Sequence, residues 1–191
     1  QNIADAQHAN GAVPTTAPEY VVFEGPGMDA FAESPEWGCT FVVLPFMYYE
    51  TYGDDSLIRK YYNGMRRYID YMTTRANDGI VSFGLGDWYD YGDFRAGFSR
   101  NTPVPLVATA HYYMVVRYLV EAARMLDNRY DVAYYTHLGE EINKAFHREF
   151  YHKDTRQYGT GSQCSNALPL FLGMVPADDR QAGGGNLVGG I

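Results

Sequence analysis

Apolar residues recur at three- and four-residue steps in one long segment after another, and almost nowhere do they alternate. Leu57, Ile58, Tyr61, Tyr62, Met65, Tyr68, Ile69 and Met72 follow that spacing. It places one apolar stripe on the face of an α-helix. Asp54 or Asp55 is a suitable cap for its start, and Asn77-Asp78-Gly79 ends the pattern shortly after Arg75. A chain written this way must bury helix stripes against one another, which points to an all-α fold.

Neighbouring segments repeat the theme. Ser34 with Pro35 in the first helical position opens a segment that is mostly apolar from about Trp37 to Tyr52, where Gly53 stops it. Such an evenly apolar helix is expected to be buried on most sides. Thr102-Pro103 opens a third long helix to about Leu126. Tyr130 or Asp131 starts a fourth to about Phe150, with Leu138, Ile142, Ala145 and Phe146 as its stripe. Residues 153–159 read as a short connection or small hairpin. Ser162 caps a fifth helix to about Leu172, and a weak sixth runs from Asp178 towards Ile191 through Gly183-Gly184-Gly185. The first 38 residues, with Pro14, Pro18, Pro26, Pro35 and Gly25-Pro26-Gly27, read as loop.

Helical hairpins in series form a bundle, a solenoid or a closed α/α toroid. No repeat of fixed period is present, which argues against the solenoid. The stretch from Gly79 to Asn101 is a long Gly- and Asp-rich loop, and loops of that length tend to carry function. Hairpins with one such loop suit a toroid, which gathers its longer loops at one end.

The formal net charge of −8 and the lack of any basic stripe exclude a nucleic-acid binder of the usual kind. No apolar run reaches the roughly 20 residues of a membrane span. Cys39 and Cys164 form no C-x-x-C pair, and the five His are scattered, so no structural zinc site is expected and all five His read as structural or solvated. Gln1 stands mid-pattern without an initiator Met, as expected of a piece excised from a longer precursor. Tyrosine is abundant, at 18 residues. Its flat ring and polar tip suit both helix packing and wet, sugar-like pockets.

Two segments could carry chemistry. Glu33-Ser34-Pro35-Glu36-Trp37-Gly38 lies at a loop-to-helix junction, and Gly84-Leu85-Gly86-Asp87-Trp88-Tyr89-Asp90-Tyr91-Gly92-Asp93 lies inside the long loop. They hold the two Trp of the chain, each flanked by glycine and carboxylates. An indole face stacks on sugar C–H groups, and a nearby carboxylate accepts hydroxyl hydrogen bonds. The bland alternative is a Trp that anchors the core and an Asp87 that organises its own loop. Glycoside hydrolysis needs two carboxyl groups. Glu33 or Glu36 could be set against Asp87, Asp90 or Asp93, but sequence gives no separation between them.

The string Glu33–Gly38 resembles a recurrent motif of the bacterial α-L-rhamnosidases of glycoside hydrolase family 78. Gly84–Gly92 does too, followed by Thr102-Pro103 and Thr109-Ala110-His111-Tyr112-Tyr113. Tyr158-Gly159-Thr160-Gly161-Ser162-Gln163 with Asn166-Ala167, and Leu172-Gly173-Met174-Val175-Pro176, continue the match. Asp5-Ala6-Gln7 and Gly11-Ala12-Val13-Pro14 fit upstream. Each string alone is modest; the ordered set, covering nearly all of the chain, is specific.

The resemblance implies that residues 1–191 are about half of an (α/α)6 barrel whose members cleave terminal α-L-rhamnose with inversion. It implies that Trp37 and Trp88 match the family's sugar-pocket tryptophans, with Asp87 as a companion and Glu36 and Asp90 as weaker candidates. The family's general acid and general base would both fall outside this chain, so no catalytic residue is expected within it and the isolated chain is expected to be inactive. Where many relatives carry Asp, Ser or a small residue, this chain has Cys39. No cofactor or metal is expected. The expected partners are a carbohydrate substrate and the rest of the barrel, or a second copy. A periplasmic or cell-surface location fits the family. The rival readings are a carbohydrate-binding helical module without catalysis, another α/α-barrel glycosidase, and a helical scaffold for protein partners.

Overall fold

A computed structural model describes residues 1–180 and 184–185. Two short helices, α1 (Asn2–Ala6) and α2 (Asp29–Ala32), interrupt the expected N-terminal loop. Then come α3 (Pro35–Gly38), α4 (Thr40–Tyr52), α5 (Ser56–Arg75), α6 (Val104–Met125), α7 (Arg129–Phe150) and α8 (Gln163–Phe171). The long helices stand where the apolar spacing predicts them. The expected sixth helix from Asp178 falls largely outside the described residues; within them, Ala177–Asp179 form a 3-10 turn, and Arg180, Gly184 and Gly185 are helical.

Helix α6 is the centre of the fold. Twelve of its 22 residues are buried, and it touches α3, α4, α5, α7 and α8. Its apolar residues go most of the way round, which is what a helix enclosed by others requires. One core cluster fills the space between α4, α5, α6 and α7 around Ile58, Met65, Ile69, Tyr112, Leu119 and Ile142. A second, around Leu106, Phe146, Phe150 and Tyr158, lies under α8, and Tyr113 and Met114 pack against both. Asn128 caps α7 by accepting the amide of Asp131, and Ser162 caps α8 by accepting that of Ser165.

The apolar segment around α4 differs from expectation in two ways. The expected single helix is broken at Cys39, whose amide meets both Pro35 O and Trp37 O, while its carbonyl receives Val42 and Val43. This local tightening separates α3 from α4. Nor is α4 buried on most sides: Phe41, Val42, Pro45 and Phe46 are buried, but Leu44 is 47% and Met47 55% exposed. Uniform apolarity therefore marks a helix with two faces to cover, only one of which is covered here.

Two small hairpins add to the helices. Strand β3 (Tyr151–His152) pairs with β4 (Gln157–Tyr158), where the sequence suggested a hairpin. Strand β1 (Asp90–Gly92) pairs with β2 (Phe94–Gly97) inside the long loop, where no strand was expected. No alternating apolar pattern underlies β1–β2. Asp90 secures it instead, accepting the amides of Tyr91, Arg100 and Asn101 and the Asn101 side chain.

Candidate functional site

The two Trp-bearing segments lie far apart in sequence and join in space. Helix α3 starts with Ser34 in the N-cap position, yet the Ser34 hydroxyl does not cap its own helix. It donates to Glu36 and accepts the Leu85 amide at 3.1 Å. Glu36 Oε1 accepts the Gly86 amide at 3.0 Å. The carboxylate therefore bolts the start of α3 to the Gly84–Asp87 turn, with a charge-assisted hydrogen bond to backbone. Gly84 makes the approach possible. Its φ of +125° is open to glycine, and a Cβ there would lie 2.7 Å from both Glu36 Oε2 and Pro35 Cδ.

On one side of this clamp, Trp37 is 37% exposed and faces a cavity of about 300 Å3 with Ile3, Val13, Pro14, Thr15 and Thr40. Gly38, next to it, lets the Tyr68 ring come close; a Cβ would stand 2.7 Å from the Tyr68 hydroxyl. Cys39 is buried and donates to Glu36 O at 3.2 Å. Burial, and after it the neighbouring Glu36, push its thiol up to about 12.

On the other side, Trp88 is half-buried in an aromatic cluster. Phe31 of α2 and Phe98 meet it edge-on, with centroids at 5.1 and 5.4 Å. Asp87 opens onto a different cavity, of about 600 Å3, walled by Asp87, Asp90, Thr102, Ser162, Gln163 and Cys164 among others. Thr102 Oγ1 donates to Asp87 at 3.3 Å, and Ser162 Oγ lies 2.8 Å from both Thr102 Oγ1 and Ser165 Oγ. Burial first, then Asp87, push the Cys164 thiol up to about 12.

The structure thus joins the segments of Trp37 and Trp88 but gives each ring its own surroundings. It also assigns work to most of the carboxylates. Glu33 accepts from Tyr71 and from Arg75, whose guanidinium lies over the Phe83 ring. Glu36 holds the turn. Asp90 is buried, which by itself raises its pKa, but its amide and side-chain donors outweigh that and hold the carboxyl below the usual range. Asp93 is exposed at the tip of β1–β2. Of the group only Asp87 faces a cavity without a closed set of backbone donors, as a substrate-contacting carboxylate would. Three of the five His bond to nearby groups, His111 to Val107 O, His152 to Gly159 O, and His147 to Asn143 O and the Tyr158 hydroxyl, while His8 Nε2 lies 3.4 Å from Glu19.

The family model described as the bacterial alpha-L-rhamnosidase 6 hairpin glycosidase domain matches residues 1–191. The chain belongs to this family. A curated alpha-L-rhamnosidase of Streptomyces avermitilis is 28% identical over 189 residues, covering 98% of this chain and 17% of that protein. One of Formosa agariphila is 28% identical over 165 residues, covering 82% of this chain and 16% of its own length. Among solved structures, the alpha-L-rhamnosidase from Dictyoglumus thermophilum superposes with a TM-score of 0.86 at 28% identity, over 98% of this chain and 20% of that one. The Streptomyces avermitilis enzyme complexed with L-rhamnose gives 0.83 at 25% identity, over 98% and 17%. The chain therefore spans less than a quarter of the length of these relatives.

Within this six-hairpin glycosidase domain, Thr102, Ser162, Gln163 and Cys164 line the Asp87 cavity, and residue-type reasoning did not single them out. Thr102-Pro103 and Tyr158–Gln163 carried the family resemblance, which was the available signal. Among the described residues no helix is long and apolar enough to cross a membrane.

Proposed function

We propose that residues 1–191 form about half of the catalytic (α/α)6 barrel of an inverting α-L-rhamnosidase. This half supplies part of the sugar-binding wall, and the acid and base come from elsewhere in the same polypeptide. Trp37 and Trp88 offer indole faces to the deoxyhexose, and Asp87, on the neighbouring cavity, accepts a hydroxyl of the glycoside beside it. Support comes above all from the Glu36–Gly86 clamp, which unites the two motifs that resemble the family's sugar pocket.

The state of the carboxylates supports the division of labour. Inversion needs an acid and a base about 6.5–9.5 Å apart with room for water. Glu33, Glu36 and Asp90 are each engaged by donors of the fold, so they are poor proton shuttles. The exposed Leu44, Met47 and Phe171, the last at 83%, support a missing remainder. Covering a few hundred Å2 of such surface contributes about 5–10 kcal/mol, the scale of a domain's net stability. The other hairpins of the barrel would cover it, or in their absence a second copy.

The test is release of L-rhamnose from an aryl α-L-rhamnoside. The complete gene product should release it and residues 1–191 alone should not. Turnover by the isolated chain would return Asp87 and Glu36 to candidacy as catalytic groups. Sugar binding by the complete product without turnover would favour a binding module.

A further inference from the structure

The cavity beside Asp87 is separate from the one that Trp37 lines, and its chemistry differs. At about 600 Å3 it has the size of small-ligand sites, roughly 300–1,000 Å3. Its walls are hydroxyls, amides and carboxylates: Thr102, Thr160 and Ser162, Asn101 and Gln163, Asp87 and Asp90. Two carboxylates against the single Arg100 repel an anion. Nothing in the lining resembles an apolar slot for a lipid or aglycone ring buried on both faces. Tyr91, 80% exposed at the cavity's edge, offers one flat apolar face. One flat face plus a wall of donors and acceptors is the complement of a neutral polyhydroxylated ring.

Asp87 keeps acceptor capacity here. Thr102 Oγ1 reaches one of its oxygens, at 3.3 Å, with the Cys164 thiol as the other neighbour. Gln163 stands exposed in the first turn of α8, at the cavity wall.

We propose that this cavity is a second carbohydrate subsite, taking a sugar unit linked to the rhamnose rather than the rhamnose itself. Asp87 and Gln163 bond its hydroxyls, and Tyr91 stacks on its C–H face. The proposal rests on the rhamnosidase reading for its substrate class and goes beyond it in giving the neighbouring sugar a place. Two sugars are then held at two walls joined by the Glu36 clamp.

Cys164 is a built-in reporter. In the complete gene product, its modification by methyl methanethiosulfonate is followed by peptide mass mapping. The probes are L-rhamnose and a sulfur-linked, non-hydrolysable α-L-rhamnosyl-(1→6)-D-glucose, with calorimetry measuring binding of each. At ten times its Kd the disaccharide should slow Cys164 modification roughly tenfold by occupancy, while L-rhamnose leaves it nearly unchanged. Gln163→Ala, an exposed position, should weaken the disaccharide roughly fivefold and leave L-rhamnose binding intact. Disaccharide binding with Cys164 unprotected overturns the subsite and leaves the rhamnosidase reading standing. Equal protection by both sugars also overturns it, because the cavity would then be the rhamnose pocket. Binding of neither sugar removes both readings together.

Discussion

Glu36 Oε1 accepts a hydrogen bond from the Gly86 amide at 3.0 Å, across 50 residues of sequence. Ser34 and Leu85 make a second bond beside it. Through these two contacts a helix start and a loop become one rigid corner, with Trp37 on one arm and Asp87-Trp88 on the other.

Loss of the corner should therefore appear at the sugar. Glu36→Ala removes the acceptor and frees the turn; removing a charged hydrogen-bond partner costs about 1.5–3 kcal/mol. L-rhamnose affinity of the complete gene product should fall by roughly tenfold or more, read by calorimetry, whereas Glu36→Gln keeps an acceptor and should stay within about threefold. Equal losses for both variants would mean that the carboxylate acts through its charge and not through the turn.

Gly84→Ala tests the same corner from the other strand of contact. The new Cβ meets Glu36 and Pro35 at 2.7 Å on a backbone with φ of +125°. A cost of about 1–3 kcal/mol is expected in urea unfolding, with increased proteolysis of the loop. An unchanged midpoint would contradict the close approach.

A stability test independent of the site is Asp131. Its side chain is only 3% exposed, accepts from Tyr62 at 2.7 Å and from Asn128 at 2.8 Å, and pairs with Arg66 at 3.4 Å. Arg66 Nε makes an ion pair there without hydrogen-bond geometry. Asp131→Ala leaves the buried Tyr62 phenol without its acceptor and removes the Asn128 and Arg66 contacts, for an expected loss of about 2 kcal/mol in denaturant unfolding. A loss below about 1 kcal/mol would show that the pair contributes little beyond packing.

The thiol beside Asp87 gives a pH prediction. With the Cys164 pKa pushed up to about 12, the group is a neutral thiol throughout the physiological range. Its alkylation rate should climb about tenfold per pH unit towards 12, with no plateau near the ordinary thiol range. Asp87→Asn removes a raising charge, so the pKa should fall and the rate at pH 8.5 should rise. A plateau near pH 9 in the unaltered protein would contradict the burial.

Helices were legible because their signal is local. The stripe from Leu57 to Met72 needs no knowledge of partners, and α5 appears where it predicts. The exposure of Leu44 and Met47 was not legible, because apolar spacing says which faces want cover and not whether a neighbour is there. Hairpin β1–β2 was invisible because one side chain, Asp90, holds it in place of an alternating pattern. The site was half legible. Sequence joined Trp37, Trp88, Asp87, Glu36 and Asp90 by composition. It could not tell that Glu36 and Asp90 face backbone amides, since their donors lie 50 and about 10 residues away.

Binding of L-rhamnose by the complete gene product, titrated calorimetrically with Trp37→Ala and Trp88→Ala, tests the central claim most directly. Each indole removed should weaken the sugar by about tenfold, the loss of one stacking face, while urea unfolding stays cooperative. Affinities unchanged in both variants would contradict the claim that these rings form the sugar wall.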